Sequence, residues 1–107
     1  MLFAQLAVEN TTSRFDKPFT YTVPEALAGA VRPGVRVTVP FGAGNRTRVG
    51  MVLSVSEAPA ADGRLKAVRS VLDRAPLLSD EMLRLVPWMK SRYYCTLFEA
   101  VKLMIPA

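Results

Sequence analysis

The sequence predicts a mainly β domain: a small OB-like antiparallel β-barrel with one or two C-terminal helices. Three observations carry that reading. Before residue 75, four stretches alternate apolar and other residues with period two, as strands with one buried face do. The connections between them are short and rich in Pro and Gly, which favours an antiparallel meander. After Pro76 the apolar spacing becomes helical. A sheet of about five short strands tends to curl into a barrel, which removes its edges.

The elements follow in order. Leu2, Ala4, Leu6 and Val8 share one side of a first strand, with Phe3, Gln5, Ala7 and Glu9 on the other. Residues 10–18 form a polar loop ending in Lys17-Pro18. Phe19 to Val23 alternates aromatic and β-branched residues and stops at Pro24. Pro24 to Leu27 fits a short helical turn with proline at its start. Pro33-Gly34 turns the chain into Val35 to Val39, whose valines point one way and whose Arg36 and Thr38 point the other. A glycine-rich connection, Phe41 to Arg46, leads into Thr47 to Glu57. There Val49, Met51, Leu53 and Val55 are expected on one face. The two strands read as a hairpin with a basic tip. Leu65 to Asp73 is expected to be one more strand. Ser79 can cap a helix that has Asp80 and Glu81 in its first turn. Met82, Leu85, Val86, Met89 and Tyr93 then form the apolar stripe, and Pro87 should kink or split it. Thr96 to Glu99 has the form of a capping box opening a second helix, which Pro106 should end. Residues 1–75 are thus the barrel and 76–107 a helical extension of the same domain.

At 107 residues the chain is one domain, with 50% apolar and 21% charged residues, a composition of globular proteins. It contains no histidine, the commonest general base and metal ligand. The lone Cys95 can make no internal disulfide, which fits a reducing, cytoplasmic setting. It also has no histidine to activate it and sits in an apolar stretch, as a structural thiol does. Gly42-Ala43-Gly44 joins two strands and has Thr47 where a dinucleotide fingerprint needs its third glycine. Catalysis by this chain alone is therefore not expected. Nor is a secretory signal or a membrane-spanning run. The apolar ending, Met104 to Ala107, suggests that a longer protein continues beyond it.

What remains is charge. Lys and Arg number 14 against 9 Asp and Glu, giving +5. Most of the excess lies in the strand region, where Arg32, Arg36, Arg46, Arg48, Arg64, Lys66 and Arg69 occur with Phe19, Tyr21 and Phe41 near strand and loop ends. Cations track phosphates and exposed aromatic rings stack bases. Composition leaves two readings of that face: a nucleic-acid surface, or ordinary solvated strands on a small basic β-barrel that serves as a protein–protein interaction module.

Longer strings discriminate between them. Lys17-Pro18-Phe19-Thr20-Tyr21-Thr22-Val23-Pro24-Glu25, Gly34-Val35-Arg36-Val37-Thr38-Val39-Pro40-Phe41-Gly42, Val49-Gly50-Met51-Val52 and Leu65-Lys66-Ala67-Val68 occur in this order. Together with Val71-Leu72-Asp73, Tyr93-Tyr94 and Ile105-Pro106-Ala107, they resemble the N-terminal 3′-DNA-binding domain of the PriA family of bacterial replication-restart helicases (primosomal protein N′). The resemblance implies capture of the 3′ end of the nascent leading strand at stalled forks, within a primosomal ATP-dependent 3′–5′ DNA helicase. It places a base-indifferent pocket for the terminal nucleotide at Phe19, Thr20, Gly42 and Lys66. Arg36, Arg46 and Arg48 are candidate contacts to the DNA backbone. The fragment itself needs no cofactor on this reading, while ATP, Mg and Zn belong to the parent protein. The implied partners are single-strand 3′ ends and forked DNA, with single-strand-binding protein and other primosome proteins reached through the parent. The implied location is cytoplasmic, at the nucleoid.

Each pocket position has a chemical rationale. Phe19 offers a π-face tolerant of any base. Gly42 lets backbone approach closely. Lys66 can neutralise a phosphate. As plain residues, the same three could be core, turn and solvated charge. Thr20 departs from the family, which commonly has aspartate there to accept hydrogen bonds from the terminal nucleotide and its 3′-hydroxyl. Threonine keeps a hydroxyl acceptor and lacks the charge, and a charge-assisted bond is roughly twice as strong as a neutral one. Asp16 is no simple substitute, since four extended residues cover about 13 Å.

Overall fold

The structure is a computed structural model that describes residues 1–11, 16–59, 65–93 and 95–105. Its order is β1 (Leu2–Val8), β2 (Phe19–Thr22), a 3-10 turn (Glu25–Leu27), β3 (Arg36–Phe41), β4 (Arg46–Glu57), β5 (Ser70–Val71), α1 (Asp80–Tyr93) and α2 (Leu97–Met104). The sheet runs β2-β1-β4-β3-β5, with every neighbouring pair antiparallel. β4 is long enough, at 12 residues, to pair with both β1 and β3.

Closure comes from the segment before β5. A parallel bridge joins Thr22 to Ala67. Thr22 N–H donates to the Lys66 carbonyl (2.9 Å), Val68 N–H to the Thr22 carbonyl (3.0 Å) and Arg69 N–H to the Thr38 carbonyl (2.8 Å). One segment thus bonds to both β2 and β3 and turns the sheet into the expected small barrel. Its interior holds Ala4, Leu6, Val8, Tyr21, Val23, Val35, Val37, Val39, Val52 and Val68.

The alternation read from β1 and β3 matches the interior, but β4 departs from it. Between Gln5 and Leu6 the register of β1 on β4 slips by one residue, with Gln5 opposite Ser54 and Leu6 opposite Val52. A bulge at Leu53 therefore resets the faces. Met51 and Leu53 face the helices, while Val55, expected with them, packs against the barrel interior.

Outside the sheet, Ala7 and Met51 meet Leu78, Val86, Leu97, Ala100 and Val101 of the helical segment. Ser79 Oγ accepts from Met82 N–H (3.2 Å), as its capping role requires. Thr96 and Glu99 complete a reciprocal capping box on α2. The exposed Glu99 carboxyl is held below its usual range by the Thr96 backbone N–H. α1 is not split at Pro87, which is exposed and lies inside one continuous helix. The packed stripe also differs from expectation: it is Met82, Leu83, Val86 and Met89. Leu85 and Tyr93 are 50% and 58% exposed. Leu83 takes a place on the packed stripe, where it lines a cavity with Leu53 and Val55 of β4. Leu85→Ala should therefore change stability by under about 0.5 kcal/mol, as exposed substitutions do, measured by urea titration against the native protein. Pro106, the expected stop, lies outside the described residues. No helix among those described is long and apolar enough to cross a membrane.

Candidate nucleic-acid interface at the barrel mouth

Alternation along β2 sends Phe19 and Tyr21 toward the barrel interior and leaves Thr20 pointing away from it. Phe19 and Phe41, at the end of β3, both pack on the interior cluster. Their rings meet edge to face, with centroids 5.0 Å apart and planes at 84°, a favoured aromatic geometry. They close one end of the barrel. Tyr21 below them is buried, and its hydroxyl donates to the Pro40 carbonyl at 2.8 Å. Burial pushes the Tyr21 phenol up, with the Arg48 charge working against that.

A cavity of about 310 Å³ opens at this end, lined by Phe19, Thr20, Tyr21, Phe41, Gly42, Leu65 and Lys66. The four residues implied by the resemblance thus stand together, although up to 47 positions separate them. Gly42 begins the β3–β4 turn at φ 74°, where a side chain is disfavoured, and nothing lies within 4 Å of the place its Cβ would occupy. Lys66 Nζ donates to the Gly42 carbonyl at 2.7 Å, spanning the opening. Thr20 sits opposite Gln5 in the register, and Gln5 Nε2 donates to Thr20 Oγ1 at 2.8 Å. Phe41, singled out in the sequence with Phe19 and Tyr21 among the cations of the strand region, joins this wall. Gln5 stands behind it, and its signal is a cross-strand pairing no linear reading shows.

The arginines divide. Arg48 lies over the Phe41 ring, its guanidinium carbon 4.4 Å from the centroid, and donates to the Glu9 and Asn10 carbonyls (3.4 and 3.2 Å). Arg46 is exposed and opposite Phe41 in the hairpin. Arg69 donates to Thr47 Oγ1 and to the Asn45 carbonyl. Those three ring the mouth or its turn. Arg36 stands at the other end of β3, five residues or roughly 17 Å from Phe41. It forms a two-pronged pair with Asp73 (3.0 and 2.8 Å). The bond from Arg36 holds the Asp73 carboxyl below its usual range and raises the guanidinium. Arg32 donates to the Arg74 carbonyl. Arg64 lies outside the described residues.

Four other cavities, of about 270 to 510 Å³, each carry a carboxylate: Glu9, Glu9 with Glu99, Asp80, and Glu25 with Glu57. The mouth carries none among the described residues.

The sequence profile of the family described as "3′DNA-binding domain (3′BD)" of PriA matches residues 5–106. The replication restart protein PriA of Bacillus subtilis is 36% identical over 108 residues, covering all of this chain and 13% of that protein. PriA of Treponema pallidum is 38% identical over 97 residues, covering 86% of this chain and 14% of its own length. The probable replication restart protein PriA of Mycobacterium tuberculosis is 34% identical over 92 residues, with the same two coverages. The chain spans about one seventh of the curated relatives it matches. With a profile match reaching nearly end to end over this barrel and its helices, the chain belongs to the PriA 3′-DNA-binding domain family.

Proposed function

We propose that this domain captures the 3′ end of a nascent leading strand at a stalled replication fork. It does so as one module of a primosomal, ATP-dependent 3′–5′ helicase. The observation that carries the proposal is the mouth itself: three aromatic rings, an open glycine turn and a lysine converge on one cavity. Its volume is near the lower end of the roughly 300–1,000 Å³ of small-ligand sites, a size for one nucleotide and not for a strand passing through. Aromatic and backbone surfaces hold a base without reading its identity. Lys66 faces the phosphate, and Arg46 and Arg48 on the adjoining hairpin continue the cationic track. Arg36, committed to Asp73, is the weakest of the proposed backbone contacts. ATP, Mg and Zn would serve other parts of the longer protein. Single-strand-binding protein and primosome partners would be reached through those parts, at the nucleoid.

The test uses fluorescence anisotropy with a linear oligothymidylate and a circular one of equal length. The linear strand should bind about tenfold tighter, and Lys66→Ala should remove most of that difference. The same variant should flatten the salt dependence, since a protein that neutralises fewer phosphates releases fewer counterions. Equal binding of linear and circular strands overturns end capture. An unchanged salt slope removes Lys66 from the interface.

A further inference from the structure

The outward face of α1 carries cations and an aromatic ring that the mouth does not use. Asp80 and Glu81 occupy the first turn, but residues 82–98 hold Arg84, Lys90 and Arg92 and no carboxylate. Arg84, Trp88 and Arg92 recur every four residues and so share one face, turned away from the buried Val86. Trp88 is 57% exposed. Neither Arg84 nor Arg92 pairs with a carboxylate among the described residues. The C-terminal end of this face lies close to the mouth. Lys90 Nζ pairs with Asp16 Oδ2 (2.8 Å) and donates to the Asp16 carbonyl (3.3 Å). That fastens the last turns of α1 to a residue three positions from Phe19, at most about 11 Å of chain. The exposed Lys17 lies in that interval. From Arg92 back to Arg84 the helix rises about 12 Å.

We propose that the outward face of α1 is a second DNA contact, taking unpaired nucleotides that precede the captured end. The inference uses end capture, as proposed above, only for the starting point of the strand. From the cavity outward the order is Phe19, Lys17, Arg92, Trp88 and Arg84, with aromatic rings and cations interleaved. Cations neutralise phosphates, and an exposed indole stacks on any base. Small barrels of this type engage about 4–16 nucleotides, whereas the cavity has room for one, so a bound strand must continue over the outside of the domain. Charge favours a polyanion here over an apolar protein surface, which would have to strip water from the arginines on either side of Trp88. Asp80 and Glu81 repel phosphates and set the far limit of the track.

Trp88 is the single tryptophan of the 107-residue chain and serves as its own reporter. The experiment titrates that chain with linear oligothymidylates of about 4 and about 16 nucleotides, the two ends of the range one such barrel takes, and with a circle of the longer length. The long linear strand should quench the Trp88 fluorescence and bind about tenfold tighter than the short one, in line with a base stacked on the indole and added phosphate contacts. The short strand should fill the mouth and leave the fluorescence unchanged. Trp88→Ala should weaken binding of the long strand at least about fivefold, the loss of one stacked base, and leave the short strand unaffected. Arg84→Gln and Arg92→Gln should each lower the salt slope for the long strand by about 0.7. All three positions are exposed, so the variants keep the fold. An unquenched Trp88 at saturation with the long strand overturns the inference, while end capture stands, and leaves this face to another partner. Equal losses for both lengths in Trp88→Ala also overturn it. If the circle quenches Trp88 and binds as tightly as the long linear strand, the α1 contact stands and end capture has failed.

Discussion

Gly34→Ala is expected to cost the domain about 3 kcal/mol or more and to leave little folded protein in mild urea. Gly34 has φ 94°, a conformation that L side chains rarely adopt. Its N–H donates to the Val52 carbonyl and its carbonyl accepts from Leu77 N–H, both at 2.8 Å. The strap between β5 and α1 therefore lies directly across it. A Cβ there would stand 2.2 Å from the Leu78 carbonyl oxygen and 2.9 Å from Pro76 Cβ. The obstacle is backbone, which can move only by breaking the Leu77 bond and lifting Leu78, a fully buried side chain. The strained dihedral contributes roughly 1–2 kcal/mol and the overpacking about 1–3 kcal/mol. Gly42→Ala is the matched control. It also has positive φ but open space around the new methyl, so only the dihedral cost applies. Urea unfolding of both variants checks this. Equal losses would mean that the strap yields freely and is not anchored at Gly34.

Asp16→Ala should cost about 3 kcal/mol, although Asp16 belongs to neither a strand nor a helix. Its carboxylate is 3% exposed. It accepts from Leu97 N–H at 3.0 Å and pairs with Lys90 Nζ at 2.8 Å. Leu97 N–H is one of the donors that the first turn of a helix leaves without an internal partner, and its residue is buried. A hydrogen bond to a charged group contributes roughly 1.5–3 kcal/mol. The dipole of α2 adds about 0.3–1 kcal/mol to a carboxylate at its start. Lys90 is 37% exposed at its side chain and can turn to water, so Lys90→Ala should lose under about 1 kcal/mol. Thermal and urea denaturation of the two variants measure that asymmetry. A larger loss for Lys90→Ala would show that the ion pair, and not the capped helix, dominates.

Asp16 also shows why some of this molecule was legible in sequence and some was not. Period-two patterns locate β1 and β3 because each has one face in a closed core, so burial writes itself into neighbouring positions. The cap residues Ser79 and Thr96 were readable for the same reason: their partners lie three residues away. Partners distant in sequence leave no local trace. Asp16 meets Leu97, Arg36 meets Asp73 and Gln5 meets Thr20, and each pairing depends on register or on the docking of separate layers. The bulge at Leu53 is a one-residue event that shifts Val55 to the other face without altering composition. Along α1 the apolar positions outnumber those that one contact surface can bury, and only the docking of the helix decides that Leu83 is packed and Leu85 is not. At the mouth, the resemblance supplied Phe19, Thr20, Gly42 and Lys66, which the fold brings to one cavity. Phe41 and Arg48 were named from the sequence as well, but the placement of the guanidinium over the ring required the hairpin register.

The closing seam of the barrel has a kinetic meaning. Thr22 and Ala67 are distant in sequence, and contacts of that kind must overcome loop-closure entropy before they contribute. β1, β4 and β3 can zip first, through longer ladders, while the segment from Lys66 to Val71 is added with only a bridge and a two-residue strand. Lys66 rides on that late segment and Thr20 on the strand it joins. A chain with an open seam would keep most of its sheet and have no mouth. On the binding proposed for the mouth, competence would be acquired late in folding and lost early in unfolding. A strand end held between Thr20 and Lys66 would act as a clasp on the seam, stabilising the closed barrel by mass action.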